Sequence, residues 1–142
     1  MPDREKLLLA RTLVVDDSVS FREQICKMLA KLPNFQVIGE ASDGLEAVRQ
    51  AQQLQPDLIL LDIGLPKLDG IAAGRRIRKL CPRSRIIFIS QQSSVDFVQE
   101  ALDLGALAYI LKSKLATDLK PAIDAVLDGK RFVSKTLIPD VP

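Results

Sequence analysis

Two adjacent aspartates, Asp16 and Asp17, follow directly on the apolar run Leu13–Val15. Asp62 follows Leu58–Leu61, Ser90 follows Ile86–Ile89, and Lys112 follows Leu107–Leu111. Three carboxylates, a hydroxyl and an ammonium suit a particular chemistry if they meet. Clustered carboxylates raise one another's pKa unless a cation offsets them. Lys112 supplies one positive charge. A hard divalent ion that keeps several waters, of the Mg²⁺ kind, would supply the rest. An ionised aspartate beside such an ion and a lysine is a nucleophile suited to phosphoryl transfer. The metal and the lysine would neutralise charge on the transferring group, and Ser90 could hydrogen-bond one of its oxygens.

For these residues to meet, the segments before them must share an edge. Five short runs rich in Val, Ile, Leu and aromatics read as strands: Leu13–Val15, Phe35–Ile38, Leu58–Leu61, Ile86–Ile89 and Leu107–Leu111. The third and fourth are almost continuously apolar, as strands covered on both faces are. Helical periods separate them. Phe21, Ile25, Met28, Leu29 and Leu32 fall on one helix face, and Leu115, Leu119, Ala122, Ile123, Val126 and Leu127 on another. Pro33, Pro56, Pro82, Gly105 and Gly129 stand where each helix should stop. Strand–helix alternation, five times over, predicts an α/β fold with a parallel sheet and helices on both faces. In such a sheet every strand ends on the same edge, and ligands of open α/β sheets bind there. Only the second run lacks a comparable group, ending at Gly39 and Glu40 as an edge strand might.

The totals narrow the function. The chain has 142 residues, the size of one domain, and 47% are hydrophobic, enough for a real core. Twenty basic and 18 acidic residues give a net charge of +2, too balanced to announce a nucleic-acid or membrane partner. No apolar run approaches a membrane span, and Leu7–Ala10 is too short for a signal peptide. The cytoplasm is the expected location. Cys26 and Cys81 lie far apart and read as buried or half-buried thiols. The chain contains no histidine, which removes Ser–His and Cys–His hydrolases and histidine metal sites. The basic run Arg75, Arg76, Arg78, Lys79, with Arg83 and Arg85, reads as a solvated helix face. It lacks the aromatic residues of a single-strand nucleic-acid binder.

The ordered set of motifs resembles the receiver domain of bacterial two-component response regulators, over roughly residues 11–129. The residues that carry the likeness are Asp16–Asp17, the stretch LLDIGLPKLDG with Asp62, Pro66, Asp69 and Gly70, FIS ending in Ser90, AYILK ending in Lys112, and ASDGLEA after the second run. The resemblance implies a flavodoxin-like (βα)5 doubly wound sheet of five parallel strands in the order 2-1-3-4-5. It implies that Asp62 accepts a phosphoryl group from a phosphohistidine on a sensor kinase or phosphotransfer protein. It implies Mg²⁺ held by Asp17, Asp62 and the Gly64 backbone carbonyl, with Asp16 helping through water. Lys112 and Ser90 would bind phosphoryl oxygens, and Tyr109 would follow Ser90 by rotating inward, a population shift between two states. Ser113 stands where the family often has proline after a cis peptide. Gly64 and Gln92 occupy positions that tune phosphoryl lifetime in the family.

Each residue alone has a plainer reading. Asp16–Asp17–Ser18 could simply cap a helix, Lys112 could be a surface charge, and Tyr109 a core aromatic. Their shared edge weighs against this. A phosphatase of the haloacid dehalogenase type also uses a strand-end aspartate, but needs a second one two positions on. Here Ser18 and Gly64 stand there. The remaining alternative is a degenerate receiver that acts as an interaction module. No enzymatic activity is expected beyond the chain's own phosphorylation and dephosphorylation. The ending DGKRFVS resembles receivers of the LuxR/NarL type of transcription regulator. Residues 1–10 are therefore expected to be a flank, and 130–142 a tail or the start of a linker to an output domain. DNA would be reached only through that domain, and a homodimer is possible.

Overall fold

Alternation within the strands places two apolar layers on opposite sides of one sheet. In the computed structural model, which describes residues 9–135, Leu58 and Leu60 face one layer and Ile59 and Leu61 the other. The strands are β1 (Ala10–Val15), β2 (Phe35–Ala41), β3 (Leu58–Leu61), β4 (Arg85–Ser90) and β5 (Ala108–Leu111). The helices are α1 (Val19–Ala30), α2 (Gly44–Leu54), α3 (Gly70–Leu80), α4 (Val95–Asp103) and α5 (Leu115–Leu127). Helices α1 and α5 cover the layer of Val14, Leu60, Ile87 and Ile110. Helices α2, α3 and α4 cover the layer of Leu13, Ile59, Phe88 and Tyr109. Burial on both faces explains why β3 is apolar at every position.

The sheet is parallel and runs β2-β1-β3-β4-β5-β6. The expected order 2-1-3-4-5 holds, but the count of five strands is corrected to six among the described residues. Strand β6 (Phe132–Val133) pairs parallel with β5 through Ala108↔Phe132 and Tyr109↔Val133. It lies in the stretch expected to be tail, and two residues carry no readable period. The rest of that expected tail (136–142), and residues 1–8 of the expected flank, lie outside the described residues. Strand β2 continues to Ala41, past the predicted Ile38, because Gly39 and Glu40 pair with Leu13 and Val14 beyond a register shift at Thr12/Leu13.

Four helices begin at the sheet's C-terminal edge with a capping side chain. Ser18, Asp43, Asp69 and Ser94 accept from the backbone N–H of Phe21, Glu46, Ala72 and Asp96. Two glycines let these starts close in. A Cβ on Gly70 would collide with the Asp62 carbonyl oxygen, and one on Gly44 with the Leu68 carbonyl oxygen. The loop after β3 is thereby pressed onto the starts of α2 and α3. Lys67, at φ 67°, reaches back to Asp43 at 3.4 Å.

Candidate functional site

Register carries the site residues to one place. Val15 pairs with Leu61, so Asp16 and Asp62 leave adjacent strands at the same level. The ladders continue past the strands. Asp62 N–H donates to the Val15 carbonyl at 3.0 Å, and Asp16 N–H to the Ala41 carbonyl at 3.1 Å. Ser90 pairs with Leu111, which sets Lys112 just beyond β4 and β5.

Three carboxylates meet there. One oxygen each of Asp16, Asp17 and Asp62 lies within 4.8 Å of the others. Asp16 is 1% exposed and Asp62 5%, whereas Asp17 faces solvent. The Lys112 ammonium donates to Asp16 Oδ2 at 2.8 Å and lies 3.3 Å from Asp62 Oδ2. The other oxygens are held by backbone: Ser18 N–H donates to Asp16 Oδ1 at 2.8 Å, and Gly64 N–H to Asp62 Oδ1 at 3.4 Å.

Three negative charges against one positive leave a deficit of cation. Burial, then the charge of Asp16, push the Asp62 pKa above the usual carboxylate range, and Lys112 only partly opposes them. Burial alone would pull the Lys112 pKa down. Its bonds to Asp16 and Asp62 outweigh that and hold it above the ordinary lysine value. The donor set is all hard oxygen. The mouth is open on the Asp17 and Gly64 side, where a Cβ on Gly64 would meet nothing within 4 Å. These features fit a partly hydrated divalent ion better than a closed cage.

Ser90 and Tyr109 form a second group beside the first. Ser90 Oγ is buried and accepts from the Gln92 N–H at 2.9 Å. Tyr109 is 0% exposed, and its hydroxyl donates to the Gln92 carbonyl at 2.8 Å. Its pKa is raised by burial, with the Ser90 hydroxyl opposing. Tyr109 thus points inward in this structure, held to the loop after β4. The Lys112–Ser113 peptide is trans, like every other peptide bond in the described residues.

Two residues at the site are not among the candidates read from sequence, where Phe21 is only a helix-face position and Arg22 has no assigned role. The Phe21 ring lies beneath Lys112, with Nζ 4.4 Å from its centroid. Arg22 Nη1 donates to the Asp16 carbonyl at 2.7 Å, and its Nε pairs with Glu40 at 3.1 Å. Phe21 follows the Asp pair by four residues, which places it in the first turn of α1, the one signal available. In the basic run, Arg75, Arg76, Lys79 and Arg83 are exposed, while Arg78 donates to the carbonyls of Pro82 and Ser84. Cys81 is buried and Cys26 half-buried. Among the described residues no helix is long and apolar enough to cross a membrane.

Known proteins share this arrangement. The family described as "Response regulator receiver domain" matches residues 12–124. The transcriptional regulatory protein LiaR of Bacillus subtilis is 37% identical over 122 residues, 86% of this chain and 58% of LiaR. A crystal structure of a two-component response regulator of the LuxR family from Aurantimonas superposes with a TM-score of 0.86 at 33% identity, covering 91% of this chain and 92% of that one. The isolated REC domain of RcsB from Salmonella enterica, in the presence of phosphomimetic BeF3⁻, superposes at 0.84 with 25% identity, covering 91% and 96%. The chain thus spans just under three-fifths of LiaR's length.

Proposed function

This chain belongs to the response regulator receiver domains, and from that premise we propose that it is a phosphorylation-driven switch in a two-component pathway. Asp62 is the acceptor. The donor is a phosphohistidine on a sensor kinase or phosphotransfer protein, and the output is transcription, through a domain outside this chain. The observation that carries this reading is the buried Asp62 carboxylate, bonded to Lys112 in a cluster with Asp16 and Asp17.

In this mechanism an Asp62 oxygen attacks phosphorus, the P–N bond to the donor imidazole breaks, and an aspartyl phosphate forms. Asp17, Asp62 and the Gly64 carbonyl, helped by Asp16, would hold a Mg²⁺ ion, which would supply positive charge against the phosphoryl oxygens. Lys112 exchanges its Asp62 contact for a phosphoryl oxygen and keeps Asp16. Ser90 keeps the Gln92 N–H as acceptor and donates its own O–H to another phosphoryl oxygen. The loop after β4 follows, since Gln92 also holds Tyr109. Hydrolysis of the acyl phosphate by water returns Asp62 and inorganic phosphate. The chain's own chemistry is this loading and unloading, and it works in the cytoplasm.

The test is intact mass after incubation with acetyl phosphate and Mg²⁺. One added phosphoryl group is expected in the wild type and none in Asp62→Ala. A wild type that neither gains mass nor shifts its NMR spectrum with beryllofluoride would overturn the reading in favour of an interaction module.

A further inference from the structure

Phe21 is the third residue of α1. Ser18 accepts the Phe21 N–H at 3.2 Å and so fixes where the helix starts. The ring is half-buried and packs on the apolar layer beneath α1 and α5. That rigid footing presents its face to the Lys112 ammonium, 4.4 Å from the centroid. Lys112 is thereby held by Asp16, by Asp62 and by an aromatic face.

We propose that Phe21 is a positioning residue for phosphoryl loading, one that holds the Lys112 ammonium at the site through its ring face. The inference rests on the phosphoacceptor reading above and deepens it. Lysine is a point charge on a flexible four-carbon stem. To serve a phosphoryl oxygen, Lys112 must turn an N–H away from Asp62 without leaving the site. Asp16 retains one N–H. An additional carboxylate would compete with the phosphoryl oxygens for the others and add negative charge to a site already in excess. An aromatic face attracts the cation through its quadrupole and accepts no directional N–H···O bond. It restrains the ammonium and leaves its hydrogens available. A leucine there would keep most of the apolar packing and lose this attraction.

The experiment compares wild type, Phe21→Leu and Phe21→Tyr in the 142-residue chain. The first readout is the chemical shift of the Lys112 ε-methylene protons in the wild type, which needs no variant. Protons over a ring face should resonate upfield of those of the other lysines. That displacement should persist in Phe21→Tyr and vanish in Phe21→Leu. The second readout is beryllofluoride affinity and the rate of loading from acetyl phosphate with Mg²⁺. Phe21→Leu is expected to lose about 3- to 30-fold, the range of a cation–π contact between exposed and desolvated sites, and Phe21→Tyr to restore loading. Unshifted Lys112 protons in the wild type, or equal loading of Phe21→Leu and wild type, would overturn the role of Phe21 and leave the phosphoacceptor reading standing. A wild type that loads neither probe would overturn that reading and this inference with it.

Discussion

The hydroxyl of Tyr109 donates to the backbone carbonyl of Gln92 at 2.8 Å, across from β5 to the loop after β4. The same Gln92 donates its N–H to Ser90 Oγ at 2.9 Å. One residue thus joins the hydroxyl that would meet a phosphoryl group to the aromatic that fills the core. Movement of Ser90 toward the phosphoryl oxygens would draw Gln92 with it, and with Gln92 the carbonyl that accepts from Tyr109.

Tyr109→Phe removes the hydroxyl and keeps the ring against Phe88, 6.4 Å away between centroids. Loss of one such bond costs about 1 kcal/mol. Amide exchange over residues 91–94 is expected to speed up several-fold, with Asp62 still taking a phosphoryl group by intact mass. Unchanged exchange in that loop would show that the Tyr109–Gln92 bond does not restrain it.

Asp62 works against folding in the absence of metal. Its folded pKa is raised by burial and by Asp16, so the folded state holds its proton more tightly than the unfolded chain does. Stability from this group is therefore lost as pH rises from the ordinary carboxylate range through the folded pKa. Asp62→Asn should be more stable than wild type at pH 7 without Mg²⁺, by on the order of 1 kcal/mol, or roughly 2–5 °C in Tm. The difference should close at low pH, and narrow when Mg²⁺ stabilises the wild type. Thermal melts over pH, with Mg²⁺ and with a chelator, check all three.

Removing Lys112 has the opposite sign. Lys112→Ala leaves buried Asp16 and Asp62 without the cation that touches both. An unpaired buried polar group costs about 1–3 kcal/mol, and more when charged. The variant should melt lower than wild type, recover part of the loss with Mg²⁺, and load acetyl phosphate poorly. Denaturant melts at pH 7 with and without Mg²⁺ measure the first two effects.

Ser134 ties the end of the described chain to the sheet. Fully buried at 0% exposure, it donates to Asp118 Oδ2 at 2.7 Å and accepts from the Leu111 N–H at 3.2 Å. Its own N–H donates to the Tyr109 carbonyl at 3.0 Å. Ser134→Ala removes the Oγ that meets both the Asp118 carboxylate and the Leu111 amide, at a cost of about 1 kcal/mol per bond. Faster amide exchange at Leu111 and Ser134, with little change in β1 and β3, is the expected pattern. A uniform change across the sheet would argue against a local tie.

Much of the fold was legible because its signals are local. The apolar runs, the helical periods of α1 and α5, and the breakers after each helix are written within a few residues. The parallel alternation then obliges all strand ends to share an edge. That was enough to place Asp16, Asp17, Asp62, Ser90 and Lys112 together. Strand β6 escaped because two residues show no period and their pairing depends on β5, more than 20 positions away. The end of β2 escaped because Gly39 and Glu40 are poor strand formers held by their partner strand.

By itself, then, the sequence determined which functional groups stand at the edge and in what order, since strand direction and length decide that. Tertiary structure decided how those groups meet. It chose Asp16 as the nearer partner of Lys112, put the Phe21 ring under its ammonium, and joined Arg22 to the Asp16 carbonyl. It also turned Tyr109 inward onto Gln92. Side-chain rotamers and contacts between elements distant in the chain depend on packing around each group, and no local pattern of residues encodes that.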